Sequence, residues 1–257
     1  MSRADHLSLP MHATSARPLT IVVAARQRSG STFLAESIWE RAKNMTNGAS
    51  EDEPWFLDEP WIAAQERPAN KDIEEMVHWP VDRRLESPLG YIQALHSARC
   101  HQLHQSKSWR GACKFTIVLK LFDIHYTNSI FKQANASMLR PLFSDPSSRV
   151  VVLERDPISQ HCSLMWAEKT NHWWLPETPE SSRKAYEAFK RDKCSHTAIT
   201  SERRAFIRDH ERWFATVHEA LRTAPDGLRR SMNVTYDDLM DHHSALMARI
   251  EKQLLRA

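Results

Sequence analysis

The sequence predicts an α/β fold of three layers, a mainly parallel central sheet with helices on both faces. Ile21–Ala25, Lys114–Phe122 and Arg149–Leu153 are short apolar runs of the kind that form strands covered on both sides. Stretches of helical periodicity separate them, and alternating strands and helices build parallel sheets. The first run passes directly into a tight polar loop, Arg26-Gln27-Arg28-Ser29-Gly30-Ser31-Thr32, and from there into a helix on which Phe33, Leu34, Ser37 and Ile38 share a face.

Taken in order, residues 1–18 read as a flexible leader without the apolar core of a secretory signal. The helix opening at Ser31 is followed by polar residues 44–53 and a short apolar run, Trp55-Phe56-Leu57, that suits a second strand. Residues 63–89, rich in proline and charge, read as irregular with short helices, and the whole excursion spans about 44–90. Tyr91, Leu95, Ala98 and Leu103 give helical periodicity to Tyr91–Gln105. After the Lys114–Phe122 strand, Asp123–Ala134 reads as a helix, and Ile158–Lys169 as another beyond Arg149–Leu153. Residues 171–201 form a polar excursion punctuated by aromatics. Phe206, Trp213, Phe214, Val217 and Leu221 mark an amphipathic helix over Glu202–Arg222. A last strand at Ser231–Val234 leads through Tyr236-Asp237-Asp238-Leu239 into a terminal helix.

Composition narrows the function. A length of 257 residues accommodates one α/β domain with excursions. A net charge of +3 gives no reason to expect a nucleic-acid partner, and no apolar run is long enough to span a membrane. The four cysteines, Cys100, Cys113, Cys162 and Cys194, show no C-x-x-C pair, which is read as reduced thiols in a cytoplasmic protein. His101 and His104 have H-x-x-H spacing but no nearby ligands to complete a metal set, so no metal is expected. With only 5 glycines in the chain, Gly30 stands out for its position in the loop.

Strand, glycine-bearing polar loop, helix is the geometry of an anion cradle, in which backbone N–H groups from about Ser29 to Thr32 face a phosphate. Arg28 adds a fixed positive charge. The loop lacks the second glycine and the lysine of G-x-x-x-x-G-K-[ST], so it is not the usual triphosphate loop. An ordinary strand–turn–helix uses the same pattern, which makes a second anion site the deciding feature. Arg155, directly after the Arg149–Leu153 strand, and Ser163 on the helix behind it supply one, a guanidinium fork with a hydroxyl donor. Two such sites at neighbouring strand ends suit a nucleotide phosphorylated at both ends of its ribose.

These stretches also carry a resemblance. Gln27-Arg28-Ser29-Gly30-Ser31-Thr32, continuing through Phe33-Leu34-Ala35-Glu36-Ser37, resembles the 5′-phosphosulfate loop of sulfotransferases. It is most similar to the bacterial trehalose/glycolipid sulfotransferases, with kinship to the Golgi carbohydrate enzymes. Arg155-Asp156 through Gln160, Ser163-Leu164 and Trp166-Ala167 resembles the family's 3′-phosphate element, and Val118–Phe122 a further family strand. Trp213-Phe214 and Val234–Leu239 resemble its closing helix and V-x-Y-E-D-L strand end, with Asp237 where glutamate is usual. The matches run in family order from about residue 21 to 250.

The resemblance implies a sulfotransferase fold over 19–257 as a single domain. It implies 3′-phosphoadenosine 5′-phosphosulfate (PAPS) as donor, adenosine 3′,5′-bisphosphate (PAP) as product, and a sugar or glycolipid hydroxyl as acceptor. Arg28, Ser29, Gly30, Ser31, Thr32 and Phe33 would hold the 5′ side, Arg155 and Ser163 the 3′-phosphate, with Tyr236 near the adenine. Arg28 would also act in catalysis by stabilising the leaving phosphate. The general base is implied to be the glutamate of a Glu-Pro pair. Two exist, Glu53-Pro54 and Glu59-Pro60; spacing from the loop favours Glu53, and strand logic favours Glu59, because Trp55-Phe56-Leu57 runs into it. Glu59 is the choice made here. Lys120, His125, Trp173 and Trp174 are expected acceptor-site residues, each with an equally simple role in capping, surface or packing. Homodimer formation is left open. A phosphotransferase with a degenerate loop and an inactive nucleotide-binding protein of the same fold are the competing expectations.

Overall fold

A computed structural model of the chain describes residues 19–46, 54–57, 76–105, 115–123, 135–171, 180–194 and 200–256. The elements run β1 (Thr20–Ala25), α1 (Ser31–Met45), β2 (Trp55–Leu57), α2 (Val81–Glu86), α3 (Pro88–Gln105), β3 (Ile117–Phe122), α4 (Ala136–Ser144), β4 (Ser148–Glu154), α5 (Pro157–Thr170), α6 (Glu180–Lys193), α7 (Ser201–Thr223), β5 (Ser231–Thr235), α8 (Tyr236–Asp241) and α9 (His243–Ile250). The strands form one five-stranded sheet in the order β2-β3-β1-β4-β5, and every pairing is parallel.

Alternation along the apolar runs generates the two outer layers. Val22 and Ala24 of β1, with Leu119 and Leu121 of β3 and Val150 and Val152 of β4, face a core filled from α3, α4 and α7 by residues such as Leu95, Phe143 and Trp213. Ile21, Val23 and Ala25, with Val118, Val151 and Val234, face the opposite core, filled by Leu34 and Ile38 of α1, Leu239 of α8 and Ile250 of α9. A central strand apolar on both faces is what two covering layers require, and β1 is buried throughout. The expected three-layer α/β architecture is the one observed.

The order of the strands positions the site. β1 lies between β3 and β4, level with Lys120 at Val23 on one side and with Val151 on the other. The chain leaving β1 crosses towards β2 and the chain leaving β4 goes on to β5, so the two connections part at adjacent strand ends. A crevice opens where neighbouring connections diverge, beyond the carboxyl ends of the strands.

The structure adds two helices to the sequence reading. α4 was not expected; its short apolar set (Leu139, Leu142, Phe143) surrounds Pro141, a residue that argues against helix when read alone. α6 lies inside the polar stretch 171–201, where Tyr186 and Phe189 are its only half-buried residues between positions 184 and 193, too thin a stripe to give a clear period. The expected helix over Asp123–Ala134 falls, beyond Asp123, outside the described residues. The thiol expectation is corrected: Cys162 on α5 and Cys194 just past α6 form a disulfide with Cα atoms 5.9 Å apart, and Cys100 is disulfide-bonded as well. Spacing along the chain was a poor guide because helix packing brings Cys162 and Cys194 together across 32 positions. No described helix is long and apolar enough to cross a membrane.

One side chain joins the end of α4 to the approach to β5. The Arg230 guanidinium donates to the carbonyls of Asp145, Phe143, Ser144 and Pro225 at 2.8, 3.3, 3.2 and 2.5 Å. A cation there satisfies orphan carbonyls and complements the helix dipole. Arg230→Met is expected to cost about 2–4 kcal/mol, read as a lowered midpoint in denaturant unfolding; an unchanged midpoint would deny the clamp any energetic weight.

Candidate functional site

The loop after β1 turns with two residues in left-handed conformation, Arg28 at φ 62° and Gly30 at φ 85°. Glycine tolerates this freely, and at position 30 it also meets a spatial limit. A Cβ there would stand 3.1 Å from Cε2 of Tyr236 and 3.2 Å from Cδ2 of Leu239. Gly30 is the N-cap of α1 and offers no side chain, and the first turn of α1 carries no acidic residue. Among the described residues no N-cap side chain takes the opening amides of the helix, which lie at the positive end of the dipole and can receive an anion.

The turn between β4 and α5 grips this loop from the far side. Gln160 Nε2 donates to the Gln27 carbonyl and Arg155 Nη1 to the Arg28 carbonyl, both at 2.7 Å. A trans peptide sets its N–H opposite its C=O. With both carbonyls drawn towards α5, the amides of Arg28 and Ser29 are turned the other way. Asp156 caps α5 by accepting from the Ser159 amide at 2.7 Å, with Pro157 at the first position. That cap fixes the turn from which Arg155 reaches across.

Positive charge collects here. Arg28 Nε donates to Ser163 Oγ at 3.2 Å, so the sequence-expected pair of anion sites forms one continuous patch. Arg155 lies flat over the Tyr236 ring, 4.0 Å from its centroid. Burial lowers the Arg28 pKa from its ordinary value and the neighbouring Arg155 charge lowers it further, while Tyr186 and Tyr236 act in the opposite sense. Lys120, almost fully buried within β3, donates to Thr32 Oγ1 at 2.8 Å. Ser29 is fully buried and its hydroxyl is without a hydrogen-bond partner among the described residues, as are Arg155 Nε and Gln160 Oε1. Two guanidiniums and an ammonium around uncapped amides are a cradle for a multiply charged anion.

Of the sequence-expected residues, Arg28, Ser29, Gly30, Ser31, Thr32, Arg155, Ser163 and Tyr236 come together, and Lys120 joins the loop itself. Phe33 remains 46% exposed beside it, with its ring stacked on His243 at 4.9 Å. Glu53, Glu59, His125, Trp173 and Trp174 lie outside the described residues.

Sequence reasoning missed the supports. Arg26 pairs with Asp123 at 2.8 Å, donates to the Phe206 carbonyl at 3.1 Å and sits over the Phe206 ring. His210 of α7 lies 3.1 Å from the Arg155 carbonyl, which can only accept, so Nε2 carries the proton. His210 was detectable as a polar residue three positions before Trp213 on the buried face of an amphipathic helix. Nothing in the sequence distinguishes Tyr186.

No protein-family model and no curated protein matches this chain. Among solved structures, it is similar to a retinol dehydratase in complex with retinol and PAP, at 16% identity and a TM-score of 0.38, covering 93% of this chain and 60% of that one. A second retinol dehydratase complex, with androsterone and PAP, gives 17% identity and a TM-score of 0.38 over 93% and 63%. A sulfotransferase from Alicyclobacillus acidocaldarius gives 14% and 0.39 over 93% and 81%. The chain therefore spans about three fifths of the length of the retinol dehydratase chains.

Two buried imidazoles give the site's surroundings a pH signature. Burial holds His161 and His210 below the ordinary histidine pKa. The unfolded chain thus takes up protons there first, and the stability these groups contribute is complete above the unfolded value and lost as pH falls towards the folded ones. The thermal midpoint is expected to drop between about pH 7.5 and about pH 5.5, and His161→Leu to flatten the drop. Identical slopes for the two proteins would assign the acid sensitivity to other groups.

Proposed function

We propose that the chain is a PAPS-dependent sulfotransferase acting on a hydroxyl of a carbohydrate or glycolipid. The observation that carries this reading is the joining of Arg28, Arg155 and Ser163 into one cationic patch at the open amides of α1. The motif resemblance over Gln27–Ser37 and Arg155–Ala167 supplies the identity of the anion, a nucleotide charged at both ribose ends. The residues present fit such a donor: the cradle offers backbone amides, cations and a buried unpartnered hydroxyl, and Gly30 keeps its floor clear of a side chain. The donor supplies the sulfuryl group and a phosphate leaving group.

This chain's part is then to orient, to neutralise and to remove a proton. Arg28 and the amides through Thr32 hold the 5′ end so that attack is in line, and they balance charge building on the departing phosphate. Lys120 adds a second cation at the same turn. Arg155 and Ser163 hold the 3′-phosphate, and the exposed Phe33 ring and Tyr236 flank the base. Glu59 takes the proton of the acceptor hydroxyl. Residues 19–257 are read as one catalytic domain. The disulfide-bonded cysteines belong to oxidising surroundings, so the cytoplasmic expectation is not carried into this reading.

Calorimetric titration without metal tests it. Adenosine 3′,5′-bisphosphate is expected to bind at least about ten-fold more tightly than the 5′-monophosphate, a difference of about 1.4 kcal/mol. Arg28→Ala and Arg155→Ala are each expected to weaken bisphosphate binding by about ten-fold or more. Glu59→Gln should leave donor binding intact and abolish transfer to sugar acceptors. Full transfer by Glu59→Gln with loss in Glu53→Gln would move the base to the other pair, and equal binding of the two nucleotides would remove the proposal.

A further inference from the structure

Ser163 stands at a junction. Its hydroxyl accepts from Arg28, and its chain neighbour Cys162 is the disulfide partner of Cys194 at the end of α6. Three residues on along α5, which is one turn and the same face, Trp166 packs against Tyr186 at 5.7 Å and Phe189 at 5.3 Å. Lys169, a further three residues along, sits over the Phe189 ring at 5.5 Å.

α6 is mostly exposed over the side chains described. From position 184 to 193 it buries no residue, and Tyr186 and Phe189 alone are half-buried. A helix so exposed gains little from apolar burial. The Cys162–Cys194 bond and the Lys193 carbonyl, which accepts from Arg203 Nη2 at 2.7 Å, fix its C-terminal end against α5 and α7. This attachment holds Tyr186 against Trp166, one turn along α5 from Ser163, and a Coulombic contribution from Tyr186 raises the Arg28 pKa.

We infer that Tyr186 is a further residue of the anion site, its hydroxyl a donor to the phosphate monoester held by Arg155 and Ser163, and that the Cys162–Cys194 bond is the positioning element that keeps it there. The inference rests on the proposed function for the identity of that phosphate, the 3′-phosphate of the donor. A phenol is a good donor to a phosphate oxygen, and such charge-assisted bonds are short and strong. The disulfide acts only through Ser163 and Tyr186, which it holds on facing elements.

The test is calorimetric titration of four proteins, the native chain, Tyr186→Phe, Cys194→Ser and the double variant, with adenosine 3′,5′-bisphosphate and adenosine 5′-monophosphate. Phenylalanine keeps the ring against Trp166, so Tyr186→Phe isolates the hydroxyl, and it decides that point even if Cys194→Ser does not fold. Expected is a loss of about ten-fold for the bisphosphate in Tyr186→Phe, with the monophosphate changed by less than about two-fold. Cys194→Ser should lose a similar factor, and the double variant no more than Cys194→Ser alone, because one interaction is removed twice. Unchanged bisphosphate binding in Tyr186→Phe overturns the role of Tyr186. Losses that multiply in the double variant overturn the coupling to the disulfide. A native chain that shows no preference for the bisphosphate overturns the proposed function and this inference together, whereas a preference undiminished in Tyr186→Phe overturns this inference alone.

Discussion

Two hydrogen bonds, Gln160 of α5 to the Gln27 carbonyl and Arg155 of the turn before it to the Arg28 carbonyl, are the constraint on which the rest of the site depends. They orient consecutive peptide planes of a loop that has no helix or sheet ladder to define it. Each partner is itself secured. Arg155 is stacked on Tyr236 and its carbonyl is held by His210, while Gln160 is fully buried in the first turns of α5. Such donors are costly to lose, since a buried amide left without its carbonyl forfeits its desolvation energy in full. The loop is therefore shaped by neighbours rather than by its own propensities, which explains how a non-glycine residue, Arg28, occupies a left-handed conformation there.

The same turn that shapes the loop also concentrates charge on it. Arg28 and Arg155 repel each other, and burial sharpens the repulsion. Packing and hydrogen bonding elsewhere must offset that cost in the folded protein. The β3 strand accepts a lysine within an otherwise apolar run, and the fold accommodates it through Thr32 on the facing helix. A fold that assembles cations at considerable cost is preorganised for an anion, because the ligand then meets fixed donors rather than having to gather them.

Much of this was legible in the sequence, and for a physical reason. Strands buried on both faces must be apolar at every position, so Ile21–Ala25 and Arg149–Leu153 announce themselves, and with them the loops that follow. Gly30 and Arg28 could be singled out because they follow directly on such a strand, in a polar loop that leads into a helix. What was not legible depends on contacts between distant segments. The Cys162–Cys194 bond, the His210 hydrogen bond and the packing of Tyr186 on Trp166 each join segments well separated along the chain. α6 escaped because its apolar stripe is two residues wide, and α4 because Pro141 interrupts it. The choice between Glu53 and Glu59 turns on residues 51–53 and 58–75, beyond what the described structure covers.

The position of β1 has a consequence for how the chain folds. Its two sheet neighbours, β3 and β4, follow it in sequence by roughly a hundred residues or more, as the pairings of Thr20 with Ile117 and with Ser148 show. The segment that carries the anion loop is made before either of them and acquires its walls late. Closing such long loops is entropically expensive and slow, so β1 and its apolar residues stay unpaired until roughly a hundred further residues have been added. Because the Gln27 and Arg28 carbonyls are met by α5 and the turn before it, the loop takes its final shape after β4 and α5 have docked. The shape of the loop after β1 is thus tied, in this topology, to the docking of β4 and α5 beside it.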